Sequence, residues 1–319
     1  MSVLSSPHFH DEAEAFRYLE SIVWADGVVC PHCGVVGARV YDLAGVRSKA
    51  SVKNPEGVVR HGLKKCGECR KQFTVKVGTV FEHARMPLHK MLQAVHLMVS
   101  SKKGISAHQL HRVLEVQYKS AWFLAHRIRE AMRSGDLAPF GGNGGAVEVD
   151  ETFIGREPGV EKKRGGSSHK MKVLSLVDRE TGRARSMVID NTKAETIVPI
   201  VRENVERETR LMTDDGSQYR KIAIHFAAHG YTRHQRGEYV RGDIHTNTVE
   251  GYFSIFKRGM RGVYQHCAKK HLHRYLAEFD FRYSFRAANG FDDRARAVEG
   301  LKGIVGKRLT YKSADQIGA

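Results

Sequence analysis

The 319-residue sequence predicts an α/β core with a mixed sheet and flanking helices, preceded by a small metal-binding ribbon and a helical module. Three observations carry this prediction. Two CxxC pairs stand 32 residues apart near the N-terminus. Three segments of helical periodicity follow them. Beyond a Gly-rich stretch at 139–146, alternating strands give way to a helix, a short strand and two further helices.

The charge narrows the partners. Lys and Arg number 52 against 35 Asp and Glu, for a net charge of +17 and a pI near 9.7. Residues 1–146 and 251–319 each carry +8, whereas 147–250 carry only +1. Basic flanks suit a polyanion, because Lys and Arg displace condensed counterions from phosphates, and a neutral centre suits a core that gathers carboxylates. There is no apolar run of 18 residues, so no membrane span is expected. The acidic N-terminus lacks the pattern of a signal peptide. Paired cysteines point to metal in a reducing compartment rather than to disulfides, so the expected location is cytoplasmic, with nucleoid association when bound to DNA.

Taken in order, residues 8–24 read as an amphipathic helix with Ala13, Phe16, Leu19 and Val23 at helical spacing. GARVYDL, GVVRHGLKK and RKQFTVKVGTVFE look like short strands around the cysteine pairs. PLHKMLQAVHLMVSS, ISAHQLHRVLE and QYKSAWFLAHRIREAMRS are three helices broken at Lys103-Gly104 and Glu115-Val116. A compact trio whose last member is basic resembles a helix-turn-helix domain. Next come strands in AVEVDETFIG, KMKVLSLVDRET and ARSMVID, a helix in KAETIVPIVRENVER and a strand in TRLMTDD. That order resembles the start of an RNase H-like domain. Residues 223–246 are polar and rich in His, Arg and Gly, and read as loop. Helices resume at NTVEGYFSIFKRG and HLHRYLAEFDFRYSFR, the second with Leu272, Tyr275, Leu276 and Phe279 inward.

Cys30, Cys33, Cys66 and Cys69 have the spacing of a zinc ribbon. Two tight turns each aim two thiolates at one ion, and four protein ligands leave no open position, so one structural Zn²⁺ is expected. Cys267 is a lone thiol. Among the acids, Asp150 and Glu148 share one face of the strand Val147–Glu151, with Val147 and Val149 on the other. A carboxylate in the middle of a sheet is expensive to bury without a cation. Asp214 and its neighbour Asp215 compete at the end of the Leu211–Thr213 run. Asp178 and Asp190 stand where strand turns are expected. Glu250 shares a helical stripe with Ser254 and Lys257, because seven residues make nearly two turns. Acids from three separate elements have the composition of a site for two Mg²⁺ or Mn²⁺ ions, which catalyse in-line phosphoryl transfer. His225, His229, His234 and His245 read as solvated loop residues, with His234 and His245 nearest to a DNA or metal site.

VEVDETFIG, LMTDDGSQY, HTNTVEGYFSIFKRGMRGVYQH and KKHLHRYLAEFDFRYSFR together resemble DDE-type insertion-sequence transposases that carry an N-terminal zinc ribbon. The likeness runs from CPHCG to RYSFR. It implies that Asp150, Asp214 and Glu250 are the catalytic, metal-holding acids, and it favours Asp214 over Asp215 because the family's acid follows a short strand and a Thr. Asp215 itself departs from the family, which often has Gly there. The resemblance also implies that Lys257, seven residues after Glu250, touches terminal DNA. Arg258 is an expected DNA contact, as are Lys119, Arg127 and Arg129 on the helix 117–133. The implied reaction frees a 3′-hydroxyl at each element end and joins it to target DNA, in a homodimer or higher oligomer on double-stranded DNA. A zinc-ribbon DNA-binding regulator and an RNase H-like nuclease without strand transfer are the alternatives. The expected divisions are an N-terminal helix (1–25), the ribbon (26–86), the helix-turn-helix-like domain (87–138), a linker (139–146), the catalytic domain (147–290) and a basic tail (291–319).

Overall fold

The computed structural model describes residues 2–37, 39–52, 54–135, 138–162 and 166–310. They form two compact units. The first opens with helix α1 (Glu12–Val23), capped by the Asp11 carboxylate, which accepts from the Glu14 N–H at 2.8 Å. The helix starts four residues later than the pattern suggests, because Pro7–Phe9 forms a 3-10 turn before the cap. Ala15, Phe16 and Leu19 are buried. The ribbon follows as an antiparallel sheet of β1 (Val40–Asp42), β2 (Lys64–Cys66) and β3 (Gln72–Phe73). Helices α2 (Leu88–Ser100), α3 (Ala107–Leu114) and α4 (Tyr118–Met132) end at the breaks that the sequence marks. Glu115, the C-cap of α3, is left-handed at φ 51°.

The second unit holds β4 (Ala146–Ile154), β5 (Met171–Asp178), β6 (Ala184–Ile189), α5 (Ala194–Asn204) and β7 (Arg210–Asp214). It continues with β8 (Ala228–Thr232), the short pair β9 (Val240–Arg241) and β10 (Ile244–His245), α6 (Asn247–Gly259) and α7 (Lys269–Ser284). The main sheet has the order β6-β5-β4-β7-β8. Its first three strands are antiparallel, whereas β7 lies parallel to β4 and β8 parallel to β7. One face buries Val147, Val149, Leu174, Leu176 and Leu211 with Ile197 and Val201 of α5. The other buries Val173 and Val177 with Val249, Phe253 and Phe256 of α6 and Leu272, Leu276 and Phe279 of α7. This is an α/β core with helices on both faces.

Two expectations need correction. Residues 223–246, read as loop, supply β8, β9 and β10. Strand β8 (AHGYT) lacks the apolar alternation that marks a strand because it lies at the sheet edge, with only Gly230 and Thr232 buried. The C-terminal segment, read as a basic tail, contains helix α8 (Asp293–Lys302), which joins the first unit by burying Arg296, Ala297, Gly300 and Leu301. Residues 311–319 of that segment lie outside the described residues.

Between β6, α6 and α7 sits an enclosed carboxyl. Asp280 accepts from the Ser186 N–H at 2.8 Å, the Ser186 hydroxyl at 2.7 Å and the Tyr252 hydroxyl at 2.6 Å. Burial, opposed by these donors, pushes it up to about 6 from an ordinary value of 3.8. The folded chain therefore holds this proton more readily than the unfolded one. Its stabilising contribution is present in acid and is lost as pH rises from about 4 to about 6, a change on the order of 3 kcal/mol. Urea unfolding of the parent and Asp280→Asn at about pH 4.5 and about pH 7 measures it. The parent's advantage should shrink at the higher pH, and equal differences at both would refute this assignment.

Candidate active site and metal centre

In the ribbon, the Sγ atoms of Cys30, Cys33, Cys66 and Cys69 all lie within 4.8 Å of one another. Cys30 and Cys69 are 3.7 Å apart, and Cys33 and Cys66 3.6 Å. Four sulfurs about 2.3 Å from one ion in a tetrahedron stand about 3.8 Å apart, whereas a disulfide needs about 2.05 Å. The cluster fits structural Zn²⁺. Backbone bonds shape the turns: Cys30 N–H donates to Val35 O and Gly34 N–H to Cys30 O, both at 2.9 Å, while Cys66 N–H donates to Lys71 O at 3.0 Å. Gly34 adopts φ 77°, a conformation that favours glycine.

In the second unit Asp150 stands midway along β4, Asp214 ends β7 and Glu250 lies in the first turn of α6. Parallel pairing ends with Glu148 opposite Met212, so Asp150 and Asp214, each two residues further on, point to the same face, and the charge of Asp214 acts on Asp150. Asp215 lies beyond the end of β7. The Glu151 N–H donates to Asp150 Oδ1 at 2.7 Å, and the Gly216 N–H to Asp214 Oδ1 at 3.0 Å. Helix α6 covers this face and brings Glu250, whose Oε1 accepts from the Thr246 hydroxyl at 2.8 Å and lies 3.6 Å from His234 Nε2.

The electrostatics mark the place. Burial holds the Asp150 carboxyl well above the carboxylate range, and the charges of Glu151, Asp214 and Glu250 add to it. Burial also raises Asp214 against the Gly216 N–H, and pushes Glu151 up to about 7. Burial lowers Lys257, helped by Arg261 and Lys170, while Asp150 draws it back up. Among the described residues, only the cysteines bring three or more metal-binding atoms within 4.8 Å, so the acids face one another across a wider gap. Asp178 instead binds the turn after β5, accepting from the Glu180, Thr181 and Gly141 N–H groups. Asp190 pairs with Lys269.

Two family models match the chain. One, described as a transposase zinc-ribbon domain, takes in residues 10–72; the other, an ISXO2-like transposase domain, takes in 143–284. Together they cover well over half of the sequence. The chain belongs to the DDE-type insertion-sequence transposases with an N-terminal zinc ribbon. It is also 29% identical over 299 residues to a Halobacterium salinarum protein named "Uncharacterized protein in transposable element ISH50", covering 86% of this chain and 91% of the relative.

In this transposase the expected DNA-contacting residues differ in accessibility. Lys119 and Arg258 are exposed, and the Arg258 Nε–H donates to Ser254 O at 3.1 Å. Arg127 donates to the Glu82 carbonyl at 2.9 Å and stacks over Phe123. Arg129, expected on the DNA face, is only 3% exposed and belongs to the interior. It lies eight residues from Ala121 and four from Ala125, on the stripe that α4 buries.

Tyr219 carries no signal in the sequence, and His229 and Glu148 take partners that the sequence does not announce. Tyr219 is fully buried beside Glu151 on the α5 face, and its hydroxyl has no well-aligned partner. His229 makes a hydrogen bond to the Thr213 hydroxyl at 2.9 Å. Glu148 is wholly buried, and its partners, Arg179 after β5 and Thr248 at the start of α6, are distant in sequence. Its place on the Asp150 face was the available signal, since a carboxylate there needs partners. No helix among the described residues is long and apolar enough to cross a membrane.

Proposed function

We propose that this transposase cleaves the ends of an insertion sequence and joins the freed 3′-hydroxyls to target DNA, using Asp150, Asp214 and Glu250 in an RNase H-like core. The observation that carries the reading is that Asp150 and Asp214, on one face of neighbouring strands, and Glu250 on α6 lie in electrostatic reach of one another. The strand order, three antiparallel strands followed by two parallel ones, is that expected of an RNase H-like sheet. The partly buried carboxylates repel one another and supply hard oxygen donors, the chemistry that suits Mg²⁺ or Mn²⁺. Bound there, divalent metal supplies activation of the attacking water or 3′-hydroxyl and stabilisation of the leaving oxygen.

The chain's own residues do the positioning. The Thr246 hydroxyl fixes one Glu250 oxygen, and backbone N–H groups orient Asp150 and Asp214. Lys257, within the field of Asp150, holds a phosphate of the DNA end. The helices α2–α4 form a helix-turn-helix-like module that reads the terminal inverted repeats with the ribbon, and Lys119 and Arg258 contact backbone phosphate. Paired ends require at least two protomers on DNA.

In vitro strand transfer with an end-bearing duplex and Mg²⁺ or Mn²⁺ tests the reading. Asp150→Asn, Asp214→Asn and Glu250→Gln should each lower joining by on the order of 10³-fold while end binding persists. Variants that join as well as the parent would overturn it. Nicked ends that never join would assign a nuclease, and binding that needs no metal and yields no product would assign a regulator.

A further inference from the structure

Glu148 reaches across the sheet to the start of α6. Its Oε2 accepts from the Thr248 N–H at 2.8 Å and the Val249 N–H at 2.9 Å, and its Oε1 accepts from the Thr248 hydroxyl at 2.7 Å. These donors immediately precede Glu250. Free N–H groups and the helix dipole make a helix start a natural seat for a carboxylate. The same Oε1 accepts from the Arg179 Nε–H at 2.6 Å and lies 3.2 Å from His245 Nδ1. Arg179 in turn donates to the carbonyls of Asp243 at 2.7 Å and His245 at 2.8 Å, the two residues flanking Ile244 ahead of the helix. One buried carboxylate thus joins the strand carrying Asp150 to the helix carrying Glu250, and one arginine joins it to the segment leading into that helix.

We infer that Glu148, with Arg179 and His245, is a positioning clamp that sets the Asp150–Glu250 separation for divalent metal. The inference rests on the three-acid reading above. Both Glu148 oxygens are taken up by these donors, so it acts through the other two acids. A glutamine has one acceptor oxygen where this seat offers donors to two. Glu148→Gln therefore loosens α6 against β4.

Mn²⁺ binding followed by electron paramagnetic resonance, beside strand transfer at graded Mn²⁺, tests the clamp on the full chain. Glu148→Gln should raise the half-saturating Mn²⁺ by about 10- to 100-fold, and excess Mn²⁺ should recover joining. A folded Glu148→Gln with parental Mn²⁺ affinity overturns the inference. Should that variant fail to fold, Thr248→Val decides, because it removes one hydroxyl and leaves the carboxylate and backbone donors in place. A several-fold weaker Mn²⁺ affinity with unchanged circular dichroism then supports the clamp, and an unchanged affinity overturns it. Asp150→Asn separates the two readings. If it binds Mn²⁺ and joins DNA like the parent, the three-acid site falls and the clamp with it; if it is inactive while Glu148→Gln is parental, only the clamp falls.

Discussion

Zinc removal by a chelator, or Cys66→Ser, should unfold the ribbon while leaving the sheet of the second unit folded. The ribbon's own apolar core is very small, comprising Cys30, Cys66 and Phe73 buried, with Trp24, Val28, Val35, Val40, Cys69 and Val77 partly covered. Two of the three buried members are metal ligands, so the core cannot outlast the ion. Structural zinc sites of this kind contribute about 10–16 kcal/mol, as much as an entire small domain retains after its entropy is offset. Trp24 provides the readout. Its ring meets Phe73 edge-on at 5.9 Å and has the Lys64 ammonium 5.7 Å from its centroid. Metal loss should shift Trp24 emission to that of exposed indole, with Trp122→Phe as background to isolate the signal. Proteolysis should then cut within 26–86, and added Zn²⁺ should reverse both effects. Unchanged emission and protection after verified metal loss would show that the ribbon stands without it.

Glu278→Ala should be among the most damaging single substitutions in the second unit. Glu278 is fully buried on α7, pairs with Arg282 one turn later and accepts from the Tyr264 hydroxyl at 2.5 Å. Arg282 is itself only 7% exposed and stacks over Phe279 at 4.6 Å. Removing the glutamate strands a buried guanidinium, which costs about 3–5 kcal/mol. An ion pair of this kind is less remarkable for its net contribution than for the damage done by splitting it. The double variant Glu278→Ala with Arg282→Met should therefore recover most of the loss, a coupling that denaturant titration of the four-member cycle measures. Additive losses, or a single variant within about 1 kcal/mol of the parent, would refute the pairing.

Legibility followed burial. Helix α6 and strand β7 could be delimited from sequence because their apolar spacing is regular and both pack into the core. Asp150 and Glu148 could be placed on one face because a central strand alternates strictly. Asp214 could not be separated from Asp215 by pattern, since the choice depends on where β7 stops against β4. Strand β8 was hidden because an edge strand needs only backbone partners. Arg129 was misjudged because a long basic side chain on a helix announces its charge but not its direction. The clamp around Glu148 was hidden for a further reason. Its partners Arg179 and His245 are brought to it only by the sheet's turns, and no local spacing encodes that meeting.

Helix α8 alters how the first unit must be made. Its residues are translated about 160 positions after Met132, yet the Arg296 guanidinium donates to Val99 O at 3.2 Å, and Val80 N–H donates to Ile304 O at 3.1 Å. A ribosome that has released α1 through α4 has therefore released an incomplete unit, whose missing side is still unsynthesised. Loop closure over so long a span is slow relative to local helix formation. The N-terminal unit should thus mature only after the sheet domain has emerged, and an N-terminal fragment ending at Met132 should be a poor surrogate for it.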